Sequence, residues 1–187
     1  MKSTYQLNKG DAVLLVIDLQ ERLMPAMYDR DFLLKQASVL LNVAKVFNLP
    51  VVMTEQYPKG LGHTVDSLLS LIESEELPVE VFHKTSFTAI TPEVKECVER
   101  HNRKQVIVIG AETHVCVFQT VRDLLAEGYK VFVPFDAVDS RTQENKKNAL
   151  DLFSEMGAVV TNTETILFDL LQVSGTPEFK KLSALIK

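Results

Sequence analysis

The chain has 187 residues, 46% hydrophobic and 24% charged, with a formal net charge of −5. These proportions are those of globular proteins and exclude a disordered or low-complexity chain. No apolar run approaches the ~18 residues of a membrane span, and no lysine or arginine cluster supplies the cationic footprint that nucleic acid requires. The polar start from Met1 to Asn8 lacks the apolar core of a signal peptide. Two cysteines, Cys97 and Cys116, give no disulfide framework. The expectation is one cytoplasmic domain over residues 1–187, with no membrane and no nucleic acid among its partners.

In chain order, Ala12 to Ile17 is a continuous apolar run, as in a strand covered on both faces. Phe32 to Phe47 carries Leu33, Ala37, Leu40, Leu41, Ala44 and Phe47 at helical spacing, and Asn48 and Pro50 end it. Val51 to Thr54 reads as the second strand. A looser segment from Glu55 to Glu76 holds a short helix over Val65 to Ile72, and Pro78 to Phe82 is the third strand. Thr91 caps a helix with Pro92 at its first position, running to about His101. Val106 to Gly110 is the fourth strand. Val117, Val121, Leu124 and Leu125 share the next helical face, closed by Gly128. Lys130 to Val133, a helix from Gln143 to Met156 closed by Gly157, and Ala158 to Val160 follow. Helices at Thr165 to Val173 and from Pro177 to near Ile186 complete the chain.

Strands alternating with helices predict an α/β fold: three layers, α/β/α, doubly wound, with a six-stranded parallel sheet and helices on both faces. In such sheets ligands bind beyond the carboxyl ends of the strands, where strand order reverses. That rule selects Asp18-Leu19-Gln20, Phe82-His83-Lys84-Thr85 and Gly110 to Cys116.

With Thr113 as N-cap, Cys116 is the third residue of its helix, where free amides and the helix dipole favour thiolate. Cys97, in mid-helix, reads as a packing or surface residue. A nucleophile needs a base and a group that holds it. Asp18 ends an apolar strand, where a charge demands a partner, and Lys84 supplies the cation. Asp18 and burial oppose ionisation of the thiol while Lys84 favours it, and the expected balance is a thiol reactive near neutral pH.

Val16-Ile17-Asp18-Leu19-Gln20, His83-Lys84-Thr85-Ser86-Phe87 and Gly110-Ala111-Glu112-Thr113-His114-Val115-Cys116-Val117 resemble three signatures of the isochorismatase-like cysteine hydrolases. The resemblance runs from Ala12 to about Leu171. It implies a catalytic Asp18/Lys84/Cys116 triad and a cis peptide at Ala111-Glu112. It also implies an oxyanion hole from the Glu112 and Cys116 amides, and a homo-oligomer. The segments Thr54 to Gly62, Asp136 to Arg141 and Pro177 to Lys180 look like the isochorismatase domain-containing branch. The loop at Gly60 and Gly62 is too short for a phosphate cradle and reads as a surface turn.

Nicotinamidases carry an Asp-x-His plus His metal site after strand two, whereas here Glu55, Gln56 and Tyr57 fill the segment. His63 with Glu55 is a thin ligand set, so neither a metal nor a cofactor is expected. Lys146 replaces a histidine found in many relatives. Leu23, Gln56, Tyr57, Phe87 and His114 are the candidate pocket walls for a small-molecule substrate. The function implied is hydrolysis of an amide or related C–N bond through an acyl-enzyme. The competing readings are a non-catalytic binding or scaffold protein on this fold, and a thiol redox sensor built on Cys116.

Overall fold

The computed structural model describes residues 5–187. Strand β1 (Ala12–Ile17) is central and wholly buried. Its side chains alternate: Ala12, Leu14 and Val16 enter one core, while Val13, Leu15 and Ile17 enter the other. This two-sided burial is why the run is apolar at every position rather than at every second one. Helices α1 (Arg30–Phe47), α3 (Asp66–Ser74), α7 (Thr163–Leu171) and α8 (Pro177–Ser183) cover the first face. Helices α4 (Pro92–Arg100), α5 (Phe118–Ala126) and α6 (Gln143–Met156) cover the second. Among the described residues no helix is long and apolar enough to cross a membrane.

The remaining strands are β2 (Val51–Gln56), β3 (Val79–Lys84), β4 (Gln105–Ala111), β5 (Lys130–Pro134), β6 (Val138–Asp139) and β7 (Val159–Thr161). All pair in parallel, in the order β3-β2-β1-β4-β5-β7, with β6 beside β4. The chain moves outward from β1 to β3, then returns to lay β4 on the other flank of β1. That reversal puts the switch point between β1 and β4.

The expected six-stranded sheet gains a seventh strand, β6, whose Val138 and Asp139 pair with Gly110 and Ala111. Two residues are too few to leave a periodic signal. Strands β2 and β3 run on past their expected ends, because Glu55 pairs with His83 and Gln56 with Lys84. These polar residues read as loop but complete the ladder. Helix α1 starts at Arg30 rather than Phe32, since the Asp29 carboxylate accepts the Phe32 N–H. The loop after β2 is a helical turn, α2 (Pro58–Leu61). It is tied down rather than free, for the Gly60 and Gly62 carbonyls accept from Arg22 and Gln20.

Candidate active site

β1 ends at Ile17, and Asp18 turns out of the strand with φ of 53°. Its side chain is fully buried. One carboxylate oxygen accepts from Thr54 Oγ1 at 2.8 Å and the other from Lys84 Nζ at 2.6 Å. Lys84, the last residue of β3, also donates to Gln56 Oε1 at 2.7 Å and reaches the Ser86 and Phe87 carbonyls at 3.3 and 3.2 Å. A buried ammonium is tolerable only when so surrounded. Burial pushes Asp18 above the ordinary 3.8, against the Lys84 charge and the hydrogen bonds from Lys84 and Thr54.

β4 carries the third element. Gly110 has φ of 125°, and a Cβ there would lie 2.0 Å from the Ile17 carbonyl oxygen. Only glycine lets β4 approach β1 this closely. The Ala111-Glu112 peptide is cis. The chain then enters a π-turn, Thr113–Val117, in which the Val117 N–H bonds back to the Glu112 carbonyl. The wide turn alters the expected capping. Glu112, not Thr113, is the cap residue, and Cys116 is the fourth residue of the turn rather than the third. Thr113 is buried, and its hydroxyl has no hydrogen-bond partner among the described residues. π-turns inserted in helices cluster at functional sites.

The Cys116 thiol, almost buried, comes within side-chain hydrogen-bonding reach of both Asp18 and Lys84. The three residues therefore meet at the ends of β1, β3 and β4. Their electrostatic balance differs from the sequence expectation. Burial first, and then the Asp18 charge, push the thiol from 9.0 up to about 12, and Lys84 offsets only part. The thiol is therefore held toward its protonated form beside the Asp18–Lys84 pair.

Glu112 is buried and grips Arg141: its oxygens accept Arg141 Nη2 at 2.6 Å, Nε at 3.0 Å and the Arg141 N–H at 3.1 Å. Burial acts to raise Glu112, but these bonds win and its pKa falls. Asp139 Oδ2 accepts the Asp29 N–H, and Lys146 Nζ lies 3.7 Å from Oδ1, so Lys146 keeps a contact with this corner.

The candidate pocket residues divide. Tyr57 and Phe87 expose their rings, Leu23 is half-buried, and His114 Nδ1 lies 3.0 Å from Ser140 Oγ. Gln56 is not a free wall. Its side chain bridges Lys84 and the Thr85 carbonyl, and its N–H donates to Gln20 Oε1. Thr54, Gln20 and Thr120 are supporting residues that sequence patterns did not assign. Thr120 Oγ1 donates to the Cys116 carbonyl at 2.7 Å and accepts the Ala89 N–H at 2.8 Å. Thr120 lies four residues beyond Cys116, and that helical spacing was the available signal.

One further placement departs from expectation. His63 is not a lone histidine: β3 brings His83 to the same Glu55 carboxylate, making three groups able to hold a metal. Cys97 is buried, with Sγ 3.3 Å from Glu80 near the start of β3. Cys116 stands beside Lys84 at the other end of that strand, roughly 13 Å away at about 3.3 Å per residue. A disulfide between them needs a large rearrangement.

The isochorismatase domain family matches residues 12–165. The secreted isochorismatase effector Isc1 of Phytophthora sojae is 40% identical over 182 residues, covering 94% of this chain and 84% of that protein. The MAR1 ribonuclease structure from Caenorhabditis elegans superposes with a TM-score of 0.89 at 34% identity, over 97% of this chain and 92% of that one. The Escherichia coli YcaC gene product, described as an octameric hydrolase of unknown specificity, gives 0.88 at 25% identity, over 99% and 92%. A doubly wound sheet of matching topology and a family match spanning β1 to α7 lead to one assignment: the chain belongs to the isochorismatase family.

Proposed function

We propose that this protein is a cysteine-dependent hydrolase that cleaves an amide or related C–N bond of a small molecule through an acyl-enzyme on Cys116. The observation that carries this reading is the buried Asp18–Lys84 pair, 2.6 Å long, beside the Cys116 thiol. Burying an ion pair rarely stabilises a fold on balance, so one placed against a cysteine thiol favours a chemical role.

Asp18 takes the thiol proton as Sγ attacks the carbonyl carbon, and the carbonyl electron pair moves onto oxygen. The raised pKa of Asp18 brings its basicity nearer to that of the thiol it must deprotonate. The Glu112 and Cys116 amides receive the oxyanion, where one lost donor typically costs about 10²–10³ in rate. Collapse breaks the C–N bond, and the amine leaves with the proton from Asp18. Water then attacks the thioester and gives its proton to Asp18, which returns it to the departing Sγ as the acid is released. Lys84 holds Asp18 in place and offsets the charge passing between Asp18 and sulfur. Leu23, Tyr57, Phe87 and His114 are the walls of the substrate site, and Gln56 positions Lys84.

RNA, suggested by the MAR1 ribonuclease name that three solved relatives share, fits less well. A net charge of −5 opposes a polyanion, and the buried thiol suits a small substrate. The reading includes a homo-oligomer, supported by the octameric relative. A panel of small amides, ureides and carbamoyl compounds, followed by intact-mass spectrometry, tests the chemistry. The expected result is a transient acyl adduct on Cys116 and no turnover by Cys116→Ala. Equal turnover by that variant sinks the reading.

A further inference from the structure

Two clusters among the described residues bring three ligand-type side chains around one point: Glu80 with Cys97 and His101, and Glu55 with His63 and His83. Their surroundings separate them. Glu80 already holds a cation, the Arg100 guanidinium, which also lies 3.6 Å from Cys97 Sγ. Burial and Glu80 keep that thiol protonated, at about 11. An ion there has to displace both a proton and an arginine.

Glu55 differs on each count. Its carboxylate is buried, and its ion-pair partners among the described residues are two imidazoles, with no lysine or arginine. Oε2 lies 3.0 Å from His63 Nδ1 and 3.3 Å from His83 Nε2. Oε1 is held separately, by the Thr64 N–H at 2.7 Å and the Thr64 hydroxyl at 3.0 Å. Outer-shell bonds of this kind fix a ligating carboxylate in place. Around a tetrahedral ion with bonds of about 2.0–2.2 Å, ligand atoms stand roughly 3.3–3.6 Å apart. The two observed separations lie near that range, and all three ligand atoms fall within 4.8 Å of one another. The imidazoles are 67% and 60% exposed, so they are free to close the last gap while water fills the fourth position.

The cluster is separate from the Cys116 site. In the β2–β3 ladder Glu55 stands opposite His83, and Gln56 opposite Lys84. Successive side chains in a strand point to opposite faces. Gln56 and Lys84 turn toward Asp18, so Glu55 and His83 turn to the other side of the sheet, where Met53 packs beneath Thr64. Two imidazole nitrogens and one carboxylate oxygen suit a borderline cation of the zinc class and not calcium or magnesium.

We propose that Glu55, His63 and His83 bind one zinc-class divalent ion that clamps edge strand β3 to the loop following β2. The expectation of no metal here rested on counting one histidine; the second comes from a different strand.

The test is zinc titration of the chelator-stripped full chain by calorimetry, with bound metal measured by elemental analysis. Wild type takes up one equivalent. His63→Ala and His83→Ala alter exposed side chains, so circular dichroism stays native. Each weakens binding by at least about 100-fold, given that outer-shell changes alone cost about 10–100-fold. Thr64→Val weakens it about 10-fold. Cys97→Ala and Cys116→Ala bind as wild type does. No stoichiometric zinc in wild type, binding retained in both histidine variants, or loss in Cys97→Ala each overturns the proposal.

Discussion

A thiol pushed to about 12 by burial and by the Asp18 charge carries almost no thiolate at neutral pH. Iodoacetamide should therefore label native Cys116 slowly at pH 7. Asp18→Asn removes the opposing charge, so labelling should accelerate while turnover falls by about 10²–10⁴, the usual worth of a general base. Mass-spectrometric alkylation kinetics read both, and unchanged labelling in Asp18→Asn would show that Asp18 does not set the state of the sulfur. The same carboxylate shapes the pH profile. Asp18 must be ionised to accept the proton, and burial raises it, so the acid limb of kcat/KM should lie above the ordinary 3.8. Glu112 has the opposite sign. Its pKa is lowered in the fold, so its pairing with Arg141 contributes stability above 4.5 that is lost as pH falls through the lowered value. Because Arg141 is 61% exposed and regains water when freed, Glu112→Gln should cost only about 1–2 kcal/mol by urea denaturation at pH 7. In Glu112→Gln the acid-side decline should shrink.

At the scale of elements, the π-turn and α5 are held by Thr120, which links the Cys116 carbonyl to the Ala89 amide after β3. Thr120→Val keeps the volume but leaves the buried Ala89 N–H without its partner. The expected loss is about 1–3 kcal/mol of stability, with a lower kcat because the segment bearing the nucleophile loosens against the segment following Lys84. A stability loss with unchanged kcat would assign Thr120 to the fold alone. Gly110 shows the same dependence between elements, since its missing side chain is what permits the β1–β4 contact.

For the whole molecule, the two cores flanking β1 set stability, and Leu15→Ala should cost about 2–5 kcal/mol in a denaturant melt. The apolar Ile166, Leu167, Leu170 and Leu171 of α7 are buried within the chain, whereas Phe168 is 40% exposed beside the Phe179 ring. They therefore leave little surface on α7 for a subunit contact, and light scattering should read the proposed oligomer as a multiple of the monomer mass. The alternation of apolar runs with helical faces determined the α/β class and the central strands by itself, because burial on both faces writes a continuous apolar signal. Caps at Thr91 and Gly157 were legible for the same local reason: each acts on its own backbone. The approach of Asp18, Lys84 and Cys116 was readable as well, since all lie at or just past the carboxyl ends of strands that a parallel sheet gathers at one edge. Strand β6, the π-turn, the neutral state of Cys116 and the meeting of His63 with His83 were decided only by tertiary structure. Pairing partners, desolvation and charge separation depend on distances between segments remote in the chain, and no local pattern encodes those distances.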